Sequence, residues 1–431
     1  MKSLETFFKL REHATNIRIE SMAGLTTFLA MAYITIVNPT VLSSAGMDFG
    51  AVFVATCVTA AFGSIVMGLY GNYPIAQAPG MAQNAFFTFG VVLGMEHSWQ
   101  TALGAVFISG IIFVILSVSP VRAWLVNAIP QNLKLGIAAG IGLFLGFIAL
   151  KNAGIVVAHE ATFITLGDIV SFEAILFITG FVVIVALSAR RIIGAVIIGI
   201  LLTTLIAAIF GRIDFDGIVA MPPSPAPVLL QLDIIAAFQW SMVTVILSML
   251  IIDVFDTAGT LIGVLTRTNL LDEDGRLPRL QQALMSDSSA TVIGAIAGTS
   301  STTSYIESAA GVAAGGRTGL TAVVCGLLFL ACLFFAPLAQ SVPAYATAAA
   351  LLFVACLMAR SLADIDHNDF TESAPAIVTA IAMPLTFSIA EGIGLGFISY
   401  ILIKVLSGRT MDCSIATYII GLIFTLKYIF L

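Results

Sequence analysis

The sequence predicts an all-α polytopic membrane protein. It reads as about fourteen spans in two inverted seven-span repeats, with short extended segments ahead of half-helices in spans 3 and 10. Three observations predict this. Of 431 residues, 59% are hydrophobic and only 10% charged, too little polar surface for soluble domains of that length. Apolar runs of about 20 residues recur, as in AVFVATCVTAAFGSIVMGLY and AILFITGFVVIVAL, where the strands of a β-barrel would alternate. The third observation is charge placement. With the N-terminus in the cytosol, Lys151 and Arg212 fall outside and Lys427 lies in a leftover apolar stretch. All other Lys and Arg, Arg122, Arg267 and Arg276 among them, fall inside. A miscounted span would scramble that separation.

The elements follow in order. MKSLETFFKLREHATNIRIESMAGL lacks the short apolar core and small-residue cleavage site of a signal peptide. Residues 1–20 read as a cytosolic amphipathic lead-in. Spans are predicted near 21–44, 50–70, 75–94, 99–119, 131–150, 171–189 and 192–210. After a polar, Pro-rich loop come 241–266, 284–298, 299–315, 317–337, 344–360, 372–389 and 391–407. Asn38-Pro39 is expected to end or kink the first span. LDEDGRLP (271–278) is a cytosolic connector, too short for a calcium loop. The apolar stretch 414–430 is either a further span or a helix lying at the interface. Gly140, Gly142 and Gly146, and Gly392, Gly394 and Gly396, follow no strand, so they read as close helix packing rather than nucleotide loops.

Seven spans on each side of the Pro-rich loop make the halves enter the bilayer from opposite faces. The third span of each half resists helix at its start. One reads YPIAQAPGMAQNAFFTFG, with Pro74, Pro79 and Gly80; the other reads GTSSTTSYIESAAG (298–311), with a run of Ser and Thr. Non-helical backbone survives at membrane depth only where protein or a polar cavity satisfies it. The Ser/Thr run is therefore expected to be extended, to pair with the extended 75–79 segment, and to aim the following half-helices at a ligand.

The candidate residues are polar groups at that depth. Glu307 is expected about one turn into the second half-helix. Ser304-Tyr305-Ile306-Glu307 also fits a capping box, but a carboxylate inside a membrane usually marks a site. Asp253 and Asp256, spaced i, i+3, share a helix face, and neighbouring carboxylates suit a proton carrier. Asn84, with Gln83, brings uncharged donors and acceptors to the first half-helix. Thr303 and Ser304 close the extended run. Phe86 and Phe87 could stack on a flat ligand. For Thr26, Thr27, Tyr33 and Asn38 packing is the favoured reading.

Several classes are disfavoured. Cys57, Cys325, Cys332, Cys356 and Cys413 lie scattered in apolar runs with no CxxC. His13, His97, His159 and His367 form no metal-ligand spacing, and there is no GxxxxGK[ST] loop. The sequence thus gives no metal, cofactor, nucleic-acid face or ATP-driven step.

PGMAQNAFF, DVFDTAGTLIGV and YIESAAGVAAGGRTGLTA, in this order, resemble the AzgA-like purine permease branch of the nucleobase/cation symporter (nucleobase–ascorbate transporter) family, over about residues 5–410. Where other members often have Gly-Leu before the Asn, this chain has Ala82-Gln83, which bears on substrate preference.

The resemblance implies a core domain of 21–119 and 241–337 and a gate domain of 131–210 and 344–407, with 414–430 additional. It implies proton-coupled uptake of adenine, guanine or hypoxanthine across the plasma (inner) membrane by a homodimer joined through the gate. Asn84, Asp253, Asp256 and Glu307 match the implied binding positions; Gln83, Thr303, Ser304 and Phe86 are their candidate neighbours, and Asp253, Asp256 or Glu307 the candidate proton carrier. Two alternatives remain: an anion carrier on the same architecture, opposed by three acids and no Lys or Arg at depth, and an intramembrane enzyme, opposed by the lack of a nucleophile–base pair.

Overall fold

The computed structural model describes residues 2–119, 129–213, 215, 217–265, 268 and 278–430. Arg122, Arg267, Arg276 and nearly all of the 271–278 connector lie outside the described residues. Among those described, nine helices are long and apolar enough to cross a bilayer, and Met81–Gly94, Ala195–Ile209 and Ile415–Ile429 are shorter apolar helices. Each predicted span coincides with a helix or, in spans 3 and 10, with a strand followed by a short helix.

Polar caps mark where helices begin. Asn16, Asp48, Ser98 and Ser171 each accept a hydrogen bond from the backbone N–H three residues on, satisfying a donor that has no partner within the helix. The first span departs from expectation. Pro39 neither ends nor breaks it, since helix Ile34–Ser43 runs through that residue. The interruption falls earlier, between Ile17–Met31 and Ile34–Ser43, where Thr35 and Ile36 bond three residues back, to Ala32 and Tyr33. That tighter turn sits at Tyr33.

Strand β1 (Gln77–Pro79) carries the first half-helix, Met81–Ala85, which widens into Phe86–Gly94. The next strands, β2 (Val156–His159) and β3 (Phe163–Leu166), form an antiparallel surface hairpin after helix Gln131–Asn152 that the sequence reading did not anticipate. Strand β4 (Thr302–Ser304) pairs antiparallel with β1, Gln77 opposite Ser304, Ala78 opposite Thr303 and Pro79 opposite Thr302. Gly80 N–H to Ser301 O (2.9 Å) and Tyr305 N–H to Ala76 O (3.0 Å) extend the pairing at either end. The expected crossing of two extended segments is thus formed, and its backbone is buried throughout.

The helices gather into two bundles. In the first, Leu280–Ala297 packs on Trp99–Val118 and Phe49–Val66, and Gly319–Cys332 on Phe49–Val66 and Ile17–Met31. In the second, Gln131–Asn152 packs on Ala344–Ala359 and Phe370–Thr386, and Phe172–Ala189 on Ala195–Ile209 and Ala344–Ala359. The second bundle also holds buried Lys404, 2.7 Å from Glu372, whose carboxylate accepts from Tyr400.

Helix Ile415–Phe430 packs antiparallel on Ile389–Leu406 over residues 421–428. Tyr418 donates to Thr410 O, Phe424 lies over Gly394, and Lys427 pairs with Glu391. Close approach is set by small residues, as the glycine runs predicted: a Cβ on Gly396 would lie 1.9 Å from Thr379 Oγ1. Glu20, fully buried, reaches across to accept from the N–H groups of Arg317 (3.0 Å) and Thr318 (3.2 Å) and the Thr321 hydroxyl (2.6 Å). It holds the residues leading into helix Gly319–Cys332, whose N-cap is Thr318, from the first span, at the end where the helix dipole favours a negative charge.

At the start of that helix, a Cβ on Gly319 would sit 1.9 Å from the Gly68 carbonyl oxygen, backbone against backbone. Gly319→Val is therefore expected to destabilise the protein by about 3 kcal/mol or more, read as a lower midpoint of thermal unfolding in detergent.

Candidate functional site

A cavity of about 590 Å³ lies between the two bundles. The first bundle contributes Tyr33, Met81, Ala82, Phe255, Asp256 and the segment Thr303–Glu307. The second contributes Gln131, Lys134, Ile137, Ala138 and Ile141 from one helix and Val354 and Met358 from another. One wall is thus made where both interrupted spans change from strand to helix, and the facing wall is mostly apolar.

Two carboxylates face this space. Glu307 is the residue just before helix Ser308–Ala313, not one turn inside it. It accepts a 2.7 Å hydrogen bond from the Tyr33 hydroxyl. The capping box is not formed: Ser304 gives its hydroxyl to Asp287 (3.0 Å), and Glu307 makes no capping bond. The turn at Ala32–Tyr33 delivers the phenol to Glu307, so packing, the favoured reading for Tyr33, is incomplete. Asp256 is the second carboxylate, with the Thr303 hydroxyl and the Gln83 amide against it. Neither end of the Gln83 amide is in hydrogen-bond geometry with a protein group.

The i, i+3 pair is divided by its surroundings. Asp256 lines the cavity, whereas Asp253 is fully buried and accepts from Thr291 at 3.1 Å. Asn84 is also buried away from the cavity lining, where its carbonyl accepts from the Ser300 hydroxyl. Phe86 is wholly buried in the core. Of the sequence candidates, the structure brings Glu307, Asp256, Thr303 and Ser304 to the cavity, sets Gln83 beside Asp256, and leaves Asn84, Asp253 and Phe86 off its walls.

Behind the strand crossing lies a polar cluster that sequence reasoning missed. Asp287 is fully buried and accepts from the Gln77 amide (2.9 Å), Ser304 (3.0 Å) and Thr257 (2.7 Å). Thr257 and Asp253 on one helix face Asp287 and Thr291 on another, each Thr donating to the opposite Asp. Thr291 also receives the Thr302 N–H at 3.1 Å, and Ser64 receives that of Gln77 at 2.9 Å. The network therefore satisfies strand backbone as well as side chains. The signal was present: Asp287 lies in a predicted span, and a carboxylate there is rare without a role.

Lys134, in the first turn of helix Gln131–Asn152, also lines the cavity, with its Nζ 5.0 Å from the centre of the Phe255 ring. Two carboxylates face one ammonium, so the site is not the positive environment an anion carrier requires.

Two packed bundles, a cavity between them and interrupted helices ending at its wall define a membrane transporter rather than an enzyme. The fold is shared with the transmembrane domain of the cyanobacterium bicarbonate transporter BicA, at a TM-score of 0.65 and 16% identity, over 88% of this chain and 96% of that one. Residues 18–395 match the permease family Xan_ur_permease. The chain is 50% identical to the adenine permease AdeP of Escherichia coli, over 99% of this chain and 96% of the relative. It is 46% identical to the guanine/hypoxanthine permease PbuG of Bacillus subtilis, over 99% and 100%. The chain belongs to this permease family, in its AzgA-like branch.

Replacing Asp287 tests the buried cluster. Asp287→Ala leaves the Thr257 and Ser304 hydroxyls without their acceptor and removes one of two Gln77 amide bonds, and is expected to cost about 2–5 kcal/mol. Asp287→Asn keeps one acceptor oxygen and is expected to cost about 1–3 kcal/mol. Unfolding midpoints should fall in that order, and equal midpoints for all three proteins would count against it.

Proposed function

We propose that this protein is a purine nucleobase permease that imports adenine, guanine or hypoxanthine by proton symport with alternating access. The observation that carries the reading is the placement of Asp256 and Glu307 in a cavity between the bundles, Glu307 where the second interrupted span turns from strand to helix and Asp256 on helix Trp240–Leu265 beside it. The identities to adenine and guanine/hypoxanthine permeases support it.

A purine is flat, uncharged and rimmed with donors and acceptors. An ionised Glu307 accepts two N–H bonds from a guanine-like edge; Gln83 or a protonated carboxyl meets an adenine-like edge. The wrong edge leaves buried polar groups unpaired, which is how such a site discriminates. Asp256 faces the ligand and is the proton carrier favoured here over Asp253, which is turned into the network behind. Asn84 and Phe86 act through the shape of the half-helix rather than by contact.

The first bundle corresponds to the core domain and the second to the gate, and transport is the movement of one against the other around the site. On the fourteen-span inverted-repeat topology the N-terminus is cytosolic and the chain lies in the plasma membrane as a gate-joined homodimer. Gln131 and Gly259, exposed lining residues, then mark a mouth on the cytosolic side. Helix Ile415–Phe430, which packs antiparallel on Ile389–Leu406, makes a fifteenth crossing and puts the C-terminus outside.

Three measurements test this. Competition of labelled hypoxanthine uptake by adenine, guanine, uracil and xanthine should show purine selectivity. Glu307→Gln should abolish uptake or reorder the bases, and unchanged kinetics for all three purines would refute its role. Asp256→Asn should lose proton-driven accumulation while Asp256→Glu retains part of it; accumulation that survives in Asp256→Asn places the proton elsewhere. For topology, protease added to intact spheroplasts is expected to remove a C-terminal tag and spare an N-terminal one.

A further inference from the structure

A flat ligand needs a flat surface, and the cavity offers three aromatic rings: Tyr33, Phe255 and Tyr305. Two of them are committed. Tyr33 is 2% exposed and its hydroxyl is held by Glu307; Tyr305 is 5% exposed and its hydroxyl is held by the Pro79 carbonyl at 2.5 Å. Phe255 differs in both respects. Its ring has no polar anchor and is only partly buried. It precedes Asp256 in the chain, so the ring and a carboxylate reach the cavity from one turn of one helix. The ring also presents a face rather than an edge to a neighbouring cavity residue, because Lys134 Nζ lies 5.0 Å from its centroid. A face that receives an ammonium through its π cloud is suited to a planar heterocycle.

Resting on the purine reading above, we propose that Phe255 is the stacking platform for the base, and that the base takes the ring face over which Lys134 lies. Lys134 belongs to the second bundle and Phe255 to the first, so this contact bridges the two bodies that must move. A base arriving on the ring exchanges a core–gate contact for a core–ligand contact. The Asp256 and Glu307 carboxylates read the edge of the base, and Phe255 holds its plane. Platform and edge readers have separable signatures, because stacking is nearly indifferent to ring substituents.

The test is equilibrium binding of labelled adenine, guanine and hypoxanthine to the purified full-length protein, with thermal unfolding of each variant as a check on folding. Phe255→Leu is expected to weaken all three bases by about tenfold or more and by similar factors. Phe255→Trp or Phe255→Tyr is expected to restore binding. Lys134→Gln is expected to bind at least as tightly as the parent, since a competitor for the ring is gone. Equal affinity in Phe255→Leu, a loss that neither aromatic variant restores, or tenfold weaker binding in Lys134→Gln overturns the proposal. If the parent protein binds none of the three bases, the purine reading falls and this inference falls with it. If the parent binds them and Phe255→Leu binds equally well, only the inference falls.

Discussion

The structure depends on the pairing of β1 with β4. Main chain without helical hydrogen bonds is forbidden in hydrocarbon unless protein supplies partners. Here each interrupted span supplies the partners of the other: Gln77–Pro79 and Thr302–Ser304 lie antiparallel, and the pairing continues to Ala76 and Ser301. Side chains finish the work at Ser64 and Thr291, whose hydroxyls accept strand N–H groups. Because this crossing is satisfied internally, two helices can begin at membrane depth, and residues at their starts can face a cavity instead of lipid.

The same crossing explains why the buried acids divide into two sets. Asp253 and Asp287 lie on the far side from the cavity, tied by Thr291, Thr257, Gln77 and Ser304 into the support of the strands. Asp256 and Glu307 lie on the cavity side, Asp256 against Thr303 and Gln83 and Glu307 against the Tyr33 hydroxyl. A fully hydrogen-bonded polar group rigidifies its surroundings, whereas a group with spare lone pairs facing a cavity is available to a ligand or a proton. The side each carboxylate faces, strand support or cavity, separates the two pairs in this molecule, and Asp253 keeps one oxygen without a protein partner.

That distinction also marks what the sequence could disclose. Hydropathy located the spans, and the Pro–Gly and Ser–Thr interruptions located the crossing, because both are local properties of the chain. Asp256 and Glu307 were legible as carboxylates in apolar surroundings. Which of Asp253 and Asp256 meets the cavity was not, since residues three apart on a helix differ in direction by about 60° and only the neighbouring helices decide which side is open. The hydroxyl of Tyr33 and the ring of Phe255 were missed for a related reason. Both look like ordinary core aromatics, and their surroundings are set by a turn at Ala32–Tyr33 and by Lys134 on another bundle.

The division of labour between walls follows from the same geometry. The first bundle holds both carboxylates, the Tyr33 phenol and the strand ends, so a ligand's specific contacts are concentrated on one body. The second bundle offers Ile137, Ala138, Ile141, Val354 and Met358, a surface that can slide past a polar ligand without breaking directional bonds. A transporter whose hydrogen bonds spanned both walls would have to break some of them at every step of alternating access. On the alternating-access reading proposed above, concentrating them on one body would let the ligand travel with that body while the other wall seals behind it. Gln131, Lys134 and Ser361 are the polar residues on that wall, and the contact of Lys134 with the Phe255 face is weak enough to be exchanged for another π partner.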